Sequence, residues 1–319
     1  MVKPRMSSAD LSVVVVNKLG LDRLQRLFEA CAQQSIADRL ELVIVSPFDA
    51  PDRDESRFAS VRYVKYDSID CIGAPRAAGV QACLAPFVVF AEDHCFPRPE
   101  WAAALLGRLR EGWTGVGPLI VNHNPTTLVS RVDGLLNYGC FAPGCQSGPV
   151  GYIPPHHSAY PTAVLQALGP ALPDLLQMDH LLQARLLREG GRFFLEPSAQ
   201  AAHTNVSRPW AHWTSQFHGA RLYAATRAAF GRWPAYRRVV YAAAFPLIAA
   251  LRLTRVCGLL KDGPSLLLLP LLAIAATIAA AGEAFGYLFG KGSSVVHRAH
   301  QELDHRAYVI DADRPLLLP

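Results

Sequence analysis

The chain has 319 residues, enough for one large domain or two modest ones. Hydrophobic residues make up 51% of it, high for a purely soluble protein, and a net charge of +5 is too modest to be a nucleic-acid signature. The seven cysteines are scattered, with no CxxC pair, which argues against a cysteine-based zinc site or a disulfide framework and fits a reducing compartment.

Residues 1–10 are polar and lack an apolar core, so they read as a flexible N-terminus and not as a secretory signal. Leu11 to Val16 is an apolar run expected to be the first strand. Leu21, Leu24, Leu27, Phe28 and Cys31 then recur at helical spacing, predicting an amphipathic helix over 21–34. Leu40 to Val45 and, more weakly, Val61 to Val64 read as strands, with an acidic, proline-containing loop at 49–56 between them. Pro75 to Leu84 reads as a helix with proline in its first turn. Phe87-Val88-Val89-Phe90 is the next strand, and Trp101 to Arg110 the next helix. This alternation predicts an α/β fold with a doubly wound, mainly parallel sheet. Neither GxGxxG nor GxxxxGK[ST] occurs in this half, which argues against a dinucleotide fold or a P-loop.

The strand at 87–90 runs directly into Ala91-Glu92-Asp93-His94. An open α/β sheet presents its ligands at the carboxyl ends of its strands. Two adjacent acids repel each other, and a bound cation would account for their being side by side. An acidic loop after a core strand is the competing explanation.

Further on, Val116 to Val121 reads as a strand, while Ala163–Leu168 and Leu175–Glu189 read as helices, the second stopped by Gly190-Gly191. Arg192 to Leu195 reads as a short strand followed by Glu196-Pro197. His156 and His157 are adjacent, and on an extended segment adjacent side chains point to opposite sides, which disfavours a shared metal. From Trp210 the composition shifts. Arg221, Arg227, Arg232, Arg237 and Arg238 precede an apolar stretch, Val239 to Leu251, which Pro246 interrupts. Pro264 to Phe289 is apolar except for Ser265, Thr277 and Glu283, long enough to cross a bilayer at roughly 20 residues per span. A helical hairpin across the membrane, helices lying partly in its interface, and a buried pair inside a soluble domain all remain open. The basic residues suit an anionic cytoplasmic leaflet.

Taken in order, these pieces resemble a family-2 glycosyltransferase with the GT-A fold over about 11–227. The resemblance rests on the first two strands, Pro75-Arg76-Ala77-Ala78-Gly79, Phe90-Ala91-Glu92-Asp93-His94, the acid in Gln177-Met178-Asp179, and Gly191 to Pro197 leading to His203. It implies a GT-A-like domain over 11–230, followed by a membrane-associated helical region at 231–292 and a polar tail at 293–319. It implies an enzyme that moves a sugar from a nucleotide-sugar donor, with inversion, to a glycan or lipid-linked acceptor, as in polysaccharide biosynthesis. A divalent metal, Mn²⁺ or Mg²⁺, would be held at Glu92, Asp93 and His94, where the family carries a DxD motif, and the imidazole favours Mn²⁺. Asp179 would be the catalytic base. Arg76, Glu92, Asp93, His157, Ser158 and His203 would contact the nucleotide-sugar. The acid expected after the second strand to grip the nucleobase is replaced by Ser46-Pro47, with Asp49 and Asp67 as the nearby acids. The membrane would be met through residues 239–289, with the catalytic domain facing the cytoplasm, and no nucleic-acid partner is expected. Alternative readings are a non-catalytic membrane-associated partner of the same fold and a nucleotidyltransferase. The second would need a basic phosphate-gripping loop after the first strand, where Asn17-Lys18-Leu19-Gly20 offers a single lysine.

Overall fold

The structure, a computed structural model, describes residues 9–51, 55–260 and 263–318. Most of the N-terminal segment and the centre of the loop at 49–56 lie outside the described residues. In chain order the elements are β1 (Leu11–Val16), α1 (Gln25–Ala32), β2 (Leu40–Ser46), β3 (Ser60–Lys65), α2 (Gly73–Ala82), β4 (Phe87–Ala91), β5 (Cys95–Pro97), α3 (Trp101–Arg110), β6 (Gly115–Asn122) and α4 (Leu128–Tyr138). There follow β7 (Gly148–Val150), β8 (Ala159–Pro161), α5 (Thr162–Gln166), α6 (Leu172–Leu176), α7 (Asp179–Arg188) and β9 (Phe193–His203). The α-helices that follow among the described residues are α8 (Pro209–Phe230), α9 (Ala235–Ala243), α10 (Phe245–Cys257), α11 (Leu269–Phe289) and α12 (Ser294–Leu303). They fall into two compact units, one of Met1–Val121, Phe141–His203 and Leu317–Pro319, the other of Asn122–Cys140 and Thr204–Leu316.

The first unit is built on one sheet in the order β3-β2-β1-β4-β8-β6-β9-β5, with β7 also on β9. Its first half is parallel: β1 pairs β2 and β4 in parallel, and β2 pairs β3 likewise. Beyond β4 the β4–β8, β6–β8, β5–β9 and β7–β9 pairs are antiparallel. Every residue of β1 and β2 is buried, because helices cover both faces, and this is why these strands read as mainly apolar; the buried Ser12 and Glu41 that interrupt them hydrogen-bond each other. Alternation divides the faces. Leu11, Val13 and Val15 pack with Leu24, Phe28, Trp101 and Leu105 in the main core cluster. Val14 faces the other way onto α2, where a Cβ on Gly79 would stand 2.5 Å from its Cγ1, so only glycine lets the helix lie this close. Burying each such large apolar side chain contributes roughly 1.5–3 kcal/mol.

Two expectations need correction. The helix expected over 175–189 is broken into α6 and α7 at Gln177-Met178. At the break the Gln177 side-chain Oε1 accepts hydrogen bonds from the Ile72 and Gly73 amides at 3.0 and 3.1 Å, satisfying the first turn of α2. The short strand at 192–195 instead continues through Pro197 to His203, pairing first with β7 and finally with β5.

The second unit is helical. α8 and α11 pack with their backbones nearly touching: a Cβ on Gly282 would lie 2.3 Å from the Phe217 carbonyl oxygen, and one on Gly286 2.3 Å from that of Arg221. Glu283, the acid inside the apolar run, is buried and accepts from Arg252 Nε at 3.0 Å, with the Tyr287 hydroxyl at 3.4 Å from its other oxygen. The stretch at 239–251 falls on two helices, α9 and α10, bent by 60°, with Pro246 in the first turn of α10. Among the described residues, one helical segment, Leu266–Phe289, is long and apolar enough to cross a membrane, and 44% of its most apolar window is buried within the protein.

Candidate active site

The chain leaves β1 for β2 and β3 on one side and returns to β4 on the other, so the strand order reverses between β1 and β4. Ligands of open α/β sheets bind outside the carboxyl ends of the strands at such a switch point. Val15 is level with Ala91, so Glu92-Asp93-His94 leaves the sheet at that edge.

Glu92 is the hub. It is buried, and its Oε1 lies 3.1 Å from Arg76 Nη2. Its Oε2 is faced by three imidazoles: His94 Nε2 at 3.4 Å, His156 Nδ1 at 3.6 Å and His203 Nε2 at 3.9 Å. The rings of His156 and His203 are stacked, and that of His94 meets His203 edge-on, each pair with centroids 5.0 Å apart. His203 is brought in by β9, whose last residue pairs with Cys95. Asp93 Oδ1 lies 3.0 Å from His94 Nδ1, so His94 is held between two carboxylates.

Arg76, in α2, also reaches Asp179 Oδ2 at 3.5 Å. Asp179 is the first residue of α7, a position that the break at 177–178 creates and where the helix dipole favours a carboxylate. One buried guanidinium thus ties the acid after β4 to the acid at the start of α7.

His157 sits in the left-handed region, at φ 57°, which turns the chain so that His156 Nδ1 and His157 Nδ1 lie 3.2 Å apart. The expectation that adjacent histidines diverge assumed an extended backbone, and this residue does not have one. The turn is fixed at both ends of the peptide: the His157 amide donates to the Phe90 carbonyl at 2.7 Å, and its carbonyl accepts from Trp101 Nε1 at 3.2 Å. Burial pushes the His157 imidazole down to about 3, with His94 and Arg76 adding to the effect, so it is neutral at physiological pH. The Ser158 hydroxyl donates to the Pro154 carbonyl at 2.7 Å, closing the same loop. Asp49 is exposed and ion-paired with Lys65 at 2.8 Å, which holds its carboxyl below the ordinary value.

Two groups among the described residues of this unit have the composition of a metal site: Glu92 with His156 and His203, and Cys95 with His156 and His157. In each the candidate ligand atoms lie within 4.8 Å of one another. Ligands about 2.1 Å from a tetrahedral ion stand about 3.4 Å apart, close to the spacing around Glu92 Oε2. A carboxylate oxygen with two imidazoles suits Mn²⁺ or Zn²⁺ better than Mg²⁺. The Cys95 thiol is pushed well up by burial and by the Glu92 carboxylate, so it stands protonated. The residues at Glu92 therefore fit a divalent ion, with His156, disfavoured as a ligand on an extended backbone, brought into the group by the turn at His157. Its only signal was the His-His pair behind Pro154-Pro155.

No family model and no curated protein matches the chain. Among solved structures it is similar to GalNAc-T7, in a crystal structure with UDP, GalNAc and Mn²⁺, at a TM-score of 0.46 and 15% identity. That match covers 61% of this chain and 43% of the other, so the chain spans less than half of the protein it matches.

Proposed function

We propose that the protein is a metal-dependent, inverting glycosyltransferase, family-2-like with a GT-A-type first unit, that moves a sugar from a nucleotide-sugar to a lipid-linked or envelope glycan at a membrane. The observation that carries this is the joining of Glu92 and Asp179 through Arg76 beside the histidine cluster. Glu92, His156 and His203 would hold the ion, with His94 and Asp93 fixing the carboxylate from behind. A divalent ion at this point would offset the charge of the departing diphosphate. Asp179 would take the proton of the acceptor hydroxyl as its oxygen attacks the anomeric carbon. Arg76 fixes Asp179 in register with Glu92, and the neutral His157 and Ser158 hold the loop that brings His156 in. The catalytic unit would face the cytoplasm.

Titration of the purified protein with UDP-, GDP- and dTDP-sugars, with and without Mn²⁺, tests this reading. One nucleotide class should bind only with metal. Asp179→Asn should keep that binding and lower transfer by about 10²–10⁴-fold. Folded protein that binds none of the panel would contradict the proposal and favour a non-catalytic partner of the same fold.

A further inference from the structure

The second unit carries an apolar surface that the transfer reaction does not use. Among the described residues, neither α9 nor α10 has a single buried side chain. On α9 the exposed residues Tyr236, Val239, Val240 and Ala243 fall at i, i+3, i+4 and i+7, which is one helical face. On α10 Leu247, Ala250, Leu251 and Thr254 repeat the same spacing. Tyr236 is 73% exposed, Val240 60% and Leu247 61%, values unusual for side chains of this size recurring along one face.

The charge on this segment is one-sided. From Gly231 to Leu260 there are five arginines, at 232, 237, 238, 252 and 255, and no acid. Arg252 is engaged with Glu283, and Arg232, Arg237 and Arg255 are exposed. Helices with one apolar face and a basic border lie in the plane of an anionic membrane surface.

α11 is long enough to span, but one face of it is buried on α8, with 44% of its most apolar window covered and Ile274, Phe285, Leu288 and Phe289 exposed. Its small residues lie on the α8 backbone, and α8 carries His212, His218, Arg221 and Arg227. At the N-terminal end of α11, Leu272 packs on Val132 of α4, whose neighbour Asp133 is buried 2.8 Å from His212 Nδ1. At its C-terminal end, Arg221 Nε donates to the Gly290 carbonyl at 2.9 Å. A bilayer crossing by α11 would carry the polar and charged side chains of α8 and the Arg252–Glu283 pair toward hydrocarbon, where ionisable groups are costly.

We infer that the protein docks in-plane on an anionic lipid surface through the apolar face of the bent pair α9–α10, and that α11 does not cross the bilayer. The inference refines the membrane attachment proposed above and is independent of the transfer reaction.

The test is flotation of the purified full chain with preformed vesicles of phosphatidylcholine alone, or with about one-third phosphatidylglycerol. Wild-type protein should float with the anionic vesicles and be released by high salt. Leu247→Asp with Leu251→Asp should weaken capture tenfold or more. Arg237→Gln with Arg255→Gln should weaken it on anionic vesicles only. All four positions are exposed, and unchanged thermal melting should show that the variants fold. Capture indifferent to both pairs, or protein accessible to protease on both faces of the vesicle, overturns the inference while leaving membrane attachment standing. Absence from vesicles and from cell membranes alike removes both, and sugar-nucleotide binding then decides the transfer reading by itself. A dimer in solution that Leu247→Asp with Leu251→Asp dissolves, without vesicle binding, would make a second copy the occupant and also overturn it.

Discussion

At the scale of single residues, the decisive fact is how each charge at the switch point is matched. Arg76 and Glu92 are both buried with side chains 8% exposed, an arrangement that survives only when the partners are correctly placed. Arg76 also bonds Asp179, so it stabilises the first unit and positions the proposed base at once. Arg76→Ala should lower unfolding stability by about 3–5 kcal/mol, because two acids lose their counter-charge, and chemical denaturation would measure it. Little of this was legible beforehand. The sequence marks Arg76, Glu92 and Asp179 individually as polar residues at element ends, but that one guanidinium reaches both acids follows from α2 and α7 converging in space.

Elements were more legible than their joins. β1, β2, β4 and α3 fall where apolar runs and helical spacing put them, because burial leaves these segments mainly apolar. The split between α6 and α7 was hidden, since Leu175 to Leu187 keeps a near-helical period across Gln177-Met178. At the break the Gln177 side chain meets the amides of Ile72 and Gly73, distant in sequence, a contact the local period does not report. Pro197 masks the continuation of β9, whose final residues find their partner in β5 and deliver His203. In the second unit α8 and α12 meet through stacked imidazoles, His218 and His297, with centroids 4.0 Å apart, and Ser294 hydrogen-bonds His218 at 2.9 Å. Burial pushes His218 down to about 4, and His297 and Arg221 push the same way. A histidine with a folded pKa below its unfolded value takes up protons more readily when unfolded. Its contribution is therefore present above about pH 6.5 and is lost as pH falls toward 4. Thermal melting across that window should show wild type losing stability, with the slope reduced in His218→Gln.

At the scale of the molecule, the first unit gathers its proposed metal ligands from three places: the end of β4, the turn at 154–158 and the end of β9. The sequence placed two of these at one site through a resemblance, and it divided the metal role among Glu92, Asp93 and His94. The structure assembles Glu92 with His156 and His203 and sets Asp93 behind His94. The difference is physical: a linear motif reports which residues are adjacent in the chain, whereas ligand geometry depends on where β9 and a left-handed turn carry theirs. These two arrangements predict different behaviour on metal titration. The most direct measurement is Mn²⁺ binding to wild type, His156→Ala and Asp93→Asn. Removing His156, a direct ligand in the proposed centre, should abolish tight binding. Asp93→Asn should weaken it by about 10–100-fold, as expected of a group that only orients its neighbour. Full Mn²⁺ affinity in His156→Ala together with complete loss in Asp93→Asn would contradict the proposed centre and return the ion to the linear Glu92-Asp93-His94 motif.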